Sequence, residues 1–227
     1  MGQQTVKEIV TKLYIVKNAL ILGVSGPIGL AQRYQGELES IPTPDFLALC
    51  RKWRHEVSTS LSALFWKYTG VECQRAQVVA QATGTRAPLV NAQNQVVVAL
   101  RVGSDDCLFQ FSETCAPEEA TDDLPYISIG SGQQNADPFL AFIRRVFWPG
   151  KIPNLSGGIF ATLWTLTETI QSAPAHVSGP IAIATMQGGV AKLLERGETE
   201  EHCQAIDEAR KSLRRFREDL EAEDAQG

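Results

Sequence analysis

Residues 11–34, TKLYIVKNALILGVSGPIGLAQRY, decide the fold. They hold two apolar runs of strand length separated by Lys17-Asn18, and a short polar break between two such runs reads as a tight turn. The simplest local structure is a β-hairpin. Its second strand stops at Ser25-Gly26-Pro27, where glycine frees the backbone and proline removes a donor. A helix from about Ile28 to Leu38 follows. Upstream, Thr5 to Val16 alternates imperfectly with a period of two, so the first strand is expected to begin near Thr5.

Beyond the breaker Ile41-Pro42-Thr43-Pro44, apolar residues Phe46, Leu49, Trp53, Val57, Leu61, Leu64 and Phe65 recur at spacings of three and four. That pattern predicts one helix over 45–68, N-capped by Asp45 and stopped by Gly70. QVVVALRVG from Gln95, CLFQFS from Cys107 and YISIGSG from Tyr126 are predicted strands, the first two joined by a turn over 103–106. Phe139, Phe142, Ile143, Val146 and Phe147 predict a helix between Asp137 and Trp148, closed by Pro149-Gly150, and a second helix spans about 156–172. GPIAIATM from Gly179 is strand-like, and Ile206, Ala209, Leu213, Phe216 and Leu220 predict an amphipathic helix, in an acidic tail over 196–227, that covers one sheet face. Two batches of strands separated by helix pairs favour an α+β fold with sheets between helical layers.

The chain has 227 residues, 44% of them hydrophobic, which suffices for one domain with a full core over 1–227. The formal charge of -5 supplies no basic field for nucleic acid or an anionic membrane. Arg51, Lys52 and Arg54, and the later group Arg210, Lys211, Arg214, Arg215 and Arg217, fall among acids in helical patterns and read as solvated faces. No run of 18 apolar residues and no signal-peptide pattern is present, so a cytoplasmic location is expected. Five cysteines without a Cys-x-x-Cys pair and three scattered histidines offer neither zinc spacing nor a disulfide framework, and no cofactor is implied.

Three segments, TKLYIVKNALILGVSGPIGLAQRY, YISIGSGQQNADPFL and HVSGPIAIATM, occur in an order and at intervals that resemble proteasome β-type subunits and their bacterial relatives among the N-terminal nucleophile hydrolases. The resemblance implies a four-layer αββα sandwich of antiparallel sheets between helices. It also implies threonine-type endopeptidase chemistry, in which an N-terminal hydroxyl attacks a peptide carbonyl and its own amine is the base. On that alignment Lys12 is the lysine beside the nucleophile, Gly26 the oxyanion-hole amide and Val24 a wall of the substrate pocket. Ser131 and Ser178 are the two serines around the amine. By residue type alone Lys12 is an exposed strand lysine, Gly26 a turn glycine, and both serines turn or capping residues.

Two departures accompany the resemblance. The aspartate expected three residues before the second serine is Ala175, and the family's first hairpin, with the nucleophile, has no counterpart in the alignment. An inactive peptidase subunit of intracellular protein degradation is therefore expected, with peptides or unfolded protein as substrate and self-assembly into a ring or helical oligomer. A non-catalytic assembly subunit is the alternative, and a small-amide hydrolase of the same fold a weaker one.

Overall fold

The computed structural model describes residues 12–85, 94–175 and 177–224, with side chains up to Glu221. The chain forms two compact units. One takes residues up to Gln133 together with Ala184–Leu193; the other takes Gln134–Ile183 and everything from Leu194. The fold class is α+β, with a five-stranded antiparallel sheet and six helices among the described residues.

In the first unit the deciding stretch forms β1 (Leu13–Val16) and β2 (Leu20–Ser25), antiparallel, with Leu13 opposite Gly23 and Val16 opposite Leu20. Lys17 and Asn18 both have positive φ, 51° and 53°, as a two-residue hairpin of the primed type needs, and Ala19 N donates to Val16 O at 3.0 Å. The part of the expected first strand before Lys12 lies outside the described residues. Helix α1 (Ile28–Ser40) starts directly behind Pro27, and α2 (Thr43–Cys50) and α3 (Arg54–Thr83) follow. The sheet is completed by β3 (Gln95–Val102), β4 (Asp105–Phe111) and β5 (Pro117–Glu119), in the order β1-β2-β3-β4-β5.

Strict alternation of exposure along β3 puts Val96, Val98, Leu100 and Val102 into the core. They meet Leu22 and Val24 of β2 and Phe109 and Phe111 of β4, and the helices close over them with Leu30, Tyr34, Leu38, Phe46, Leu61 and Phe65. Each such buried side chain contributes about 1.5–3 kcal/mol from removal of apolar surface from water. A smaller hairpin, β6 (Ala184–Gln187) with β7 (Val190–Leu193), joins this unit, and Ala191 N donates to Asn18 O at 2.8 Å.

Several expectations change. The helix predicted over 45–68 is two helices, broken at 51–53, and Asp45 lies in the first turn of α2 behind the cap position Pro42. There its charge favours the helix N-terminus without capping it. Gly70 does not stop α3, because a glycine lying against the Trp66 ring fits inside a helix; the stop is Gly84, left-handed at φ 64°. The segment 126–132 joins no described sheet: the edge of β4 is taken by Pro117–Glu119. Of GPIAIATM only Ala184 to Met186 enters a strand, because only there does the hairpin supply a partner.

The second unit holds α4 (Gln133–Phe147) from its second residue on, α5 (Leu155–Ser172) and α6 (Arg196–Asp224). Asn154 Oδ1 accepts from Gly157 N at 2.9 Å and so caps α5. Ile143, Leu163, Trp164 and Ile206 form the core, with Phe139, Trp148 and Phe160 against it. The rings meet edge to face, Phe160 and Trp164 at 5.4 Å and Phe139 and Trp164 at 5.8 Å. Helix α6 does not use its whole apolar stripe: Ile206 and Ala209 join this core, whereas Leu213, Phe216 and Leu220 are exposed. No helix among the described residues is long and apolar enough to cross a membrane.

Candidate functional site

The β1–β2 pairing brings Lys12 beside Val24. Val24 N donates to Lys12 O at 2.9 Å, so the ladder extends one pair beyond Leu13 and Gly23. Lys12 is exposed, whereas Val24 is buried among Leu22, Leu30 and Val96. Two residues beyond Val24 the strand ends at Gly26, exposed and at φ 104°, a conformation that favours glycine. With no Cβ, its backbone can be approached closely.

The same end of the sheet receives a second turn from far along the chain. Ser25 pairs with Gln95, and Gln95 Oε1 accepts the backbone N–H of Gly130 at 2.8 Å. Gly130 has φ 87°, and a Cβ added to it would stand 3.0 Å from Ser25 Cβ. The turns Ser25-Gly26 and Gly130-Ser131 therefore converge, with Gln95 as the clamp and the exposed Ser131 next to it. Gln95 also donates through Nε2 to Glu113 Oε1 at 2.9 Å, which holds its amide in place. Neither Ser25 nor Gln95 stood out in the sequence. The only signal was a polar residue opening an otherwise apolar strand.

Lys12, Val24, Gly26 and Ser131 belong to the first unit. Ser178 belongs to the second, exposed ahead of the cis peptide bond between Gly179 and Pro180, in a segment that also carries the exposed Ala175.

The first unit has further polar chemistry beneath its surface. Tyr34 is fully buried, donates to Asn94 Oδ1 at 3.0 Å and shares a 2.6 Å hydrogen bond with Thr69 Oγ1. Burial pushes its phenol up to about 12 against the lowering effect of these bonds. Burial likewise raises the thiols of Cys107 and Cys115, which makes them poor nucleophiles. A shallow concavity of about 480 Å³ lies between Leu13, Tyr14, Asn18, Gln35, Lys192 and Leu193. Among the described residues no group of three or more His, Cys, Asp or Glu could hold a metal ion.

No family model and no curated protein matches the chain. Solved structures do. Anbu (ancestral beta-subunit) from Yersinia bercovieri superposes with a TM-score of 0.60 at 14% identity, over 91% of this chain and 84% of that one. Anbu from Hyphomicrobium sp. strain MC1 gives 0.61 at 16% identity, over 95% and 88%, and its Gly-1 mutant 0.58 at 13%, over 90% and 81%. These identities establish likeness of fold alone. They also correct the resemblance to proteasome β-type subunits, because Anbu is a proteasome-like N-terminal nucleophile family distinct from those subunits. The motifs that suggested β-type subunits are short glycine turns, which many members of one fold can share. The chain is thus similar in fold to Anbu, a distinct relative of the proteasome β-type subunits.

Proposed function

We propose that the chain is a peptidase-related subunit of a proteasome-like, self-assembling particle. The observation that carries this reading is the convergence of Ser25-Gly26 and Gly130-Ser131 on Gln95 at one end of the sheet, in a chain whose fold is like that of an ancestral beta-subunit. In this reading residues 1–227 are one domain of two antiparallel sheets between helical layers, acting in the cytoplasm on peptides or unfolded protein.

The proposed chemistry is acyl transfer by an N-terminal hydroxyl, an atom not assigned to any described residue. Lys12 supplies a nearby ammonium that biases the proton equilibrium of the nucleophile. The Gly26 N–H faces the developing oxyanion, where a preorganised donor is worth about 10²–10³ in rate. Ser131 and Ser178 orient the amine, and Val24 sets an apolar floor under the residue preceding the scissile bond. The copies assemble as a homo-oligomer.

The test is hydrolysis of a panel of fluorogenic peptides, together with mass spectrometry after treatment with a peptide electrophile. The encoded chain is compared with a version that includes the in-frame codons upstream of Met1. Peptide hydrolysis lost in Lys12→Ala supports the reading. An assembled, extended protein that bears an N-terminal Thr, Ser or Cys yet neither cleaves peptides nor forms an adduct overturns it; cleavage of small amides alone reassigns the substrate. Ala175, where the related pattern has aspartate, favours a second reading as a non-catalytic assembly subunit. For that subunit, assembly without activity in either version is the expected result.

A further inference from the structure

Thr69 is the meeting point of two cysteines that lie far apart in the chain. Cys115, fully buried, donates through its Sγ to Thr69 Oγ1 at 3.7 Å. Cys73 stands one turn after Thr69 on α3, and a helical side chain leans over the turn that precedes it, so this thiol is carried back toward Thr69. A thiolate at Cys73 raises the proton affinity of both Cys115 and Tyr34, which marks it as a near neighbour of each. Of the two cysteines only Cys73 is partly open to solvent.

The backbone at Cys115 is left-handed, with φ at 59°, a conformation that glycine adopts freely and other residues rarely do. The turn around it is tied down: Cys115 N donates to Ser112 O at 2.8 Å, Ser112 N to Ala116 O at 3.0 Å, and Ser62 Oγ to Cys115 O at 2.6 Å. A thiol therefore occupies a position where glycine is the easier residue, and backbone outliers of this kind collect at functional sites. The same turn carries Glu113, which holds the Gln95 amide.

We propose that Cys73 and Cys115 are a redox-active pair that takes hydrogen peroxide as oxidant and closes a disulfide between α3 and the turn over 112–116. The Cys73 thiolate attacks one peroxide oxygen: the S–O bond forms, the O–O bond breaks, and hydroxide leaves and takes a proton, which yields a sulfenic acid and water. Cys115 then gives up its proton and attacks the Cys73 sulfur. The S–S bond forms, the S–O bond breaks, and a second water leaves. The two thiols lose two electrons in all, and the peroxide gains them. Burial holds Cys115 protonated, so it is the resolving partner and its attack is the slower step. All of these residues lie in the first unit, and the inference does not depend on peptidase activity.

The test uses the full chain carrying Cys203→Ser, which removes the exposed thiol able to link two copies. It is treated with graded hydrogen peroxide and then blocked with N-ethylmaleimide. Two thiols are lost, and dithiothreitol restores both. Non-reducing mass spectrometry, after cleavage at Lys67, Arg75 and Glu113 to separate Cys115 from Cys107, finds the peptides of Cys73 and Cys115 joined. In Cys115→Ala the sulfenic acid at Cys73 persists, and dimedone labels it at least tenfold more than when Cys115 is present. Cys73→Ser, at a half-buried position, keeps the fold and leaves Cys115 reduced, and it carries the test where Cys115→Ala does not fold. A bridge from Cys73 to Cys50 or Cys107, sulfinic acid at Cys73 without a bridge, a Cys73 thiol that survives peroxide, or Cys115 oxidised in Cys73→Ser overturns the proposal.

Discussion

The Asp106 carboxylate holds the turn of the β6–β7 hairpin through Gly188. Gly188 N donates to Oδ2 at 2.7 Å, and the next residue, Gly189, donates to Oδ1 at 2.9 Å. Both glycines are left-handed, at φ 59° and 82°, so two successive N–H groups present themselves to one anion. Arg101 stands 3.6 Å from the same carboxylate, and its side chain occupies the space a Cβ on Gly189 would need. A strand turn from the middle of the chain thereby fixes a hairpin near its end.

Removing that carboxylate releases both amides. Asp106→Ala is expected to lower stability by about 1.5–3 kcal/mol, the range for hydrogen bonds to a charged group. Hydrogen exchange of residues 184–193 is expected to speed up, while β3 and β2 stay protected. Unchanged exchange in that hairpin would show that the clamp is dispensable.

Gly130 has no room for a side chain. Its positive φ and the 3.0 Å that would separate an added methyl carbon from Ser25 Cβ both penalise Gly130→Ala, by roughly 1–3 kcal/mol in total. Thermal unfolding reads this directly. Gly29→Ala, in open space inside α1, is the control and is expected to be neutral or slightly stabilising.

Tyr34→Phe leaves Asn94 and Thr69 buried without their phenol partner and is expected to cost about 1–3 kcal/mol. The pH dependence follows from the phenol being raised in the folded state from 10.0 to about 12. Below pH 10 both states keep the proton and the contribution is intact. As pH rises toward 12 only the unfolded chain releases it, so stability falls. Denaturant titrations at pH 8–12 are expected to show a steeper alkaline decline for wild type than for Tyr34→Phe; parallel curves would exclude this source.

Lys12 is exposed, so Lys12→Ala is expected to change folding stability by no more than about 0.5 kcal/mol. In a form of the protein that hydrolyses peptides the same change is expected to reduce that hydrolysis at least a hundredfold. Paired melting curves and initial rates separate the two effects. A small rate effect would return Lys12 to the role of a surface strand residue.

Much of the fold was legible along the chain. The Lys17-Asn18 turn, the strand that begins at Gln95 and the helix over 155–172 each rest on contiguous periodicity or on a turn whose residues tolerate positive φ. Ser25 and Gln95 were not legible, because each matters only through its meeting with Gly130, and nothing in their neighbours along the chain announces it. The edge strand Pro117–Glu119 was hidden for a similar reason: three residues carry no period, and only the open side of β4 makes them a strand.

By itself the sequence determined which stretches present an apolar face, where the backbone must turn, and that the chain mixes strands and helices. Which partner covers each face was decided by tertiary structure alone. Ile206 found a core in the second unit while Phe216, ten residues on with the same periodicity, did not. Periodicity records that a side chain gains by leaving water, but hydrophobic burial is non-directional and does not say against what. The specific meetings, Asp106 with Gly188 and Gly130 with Ser25, depend on hydrogen bonds and close approaches between residues far apart in the chain, which exist only after it has folded.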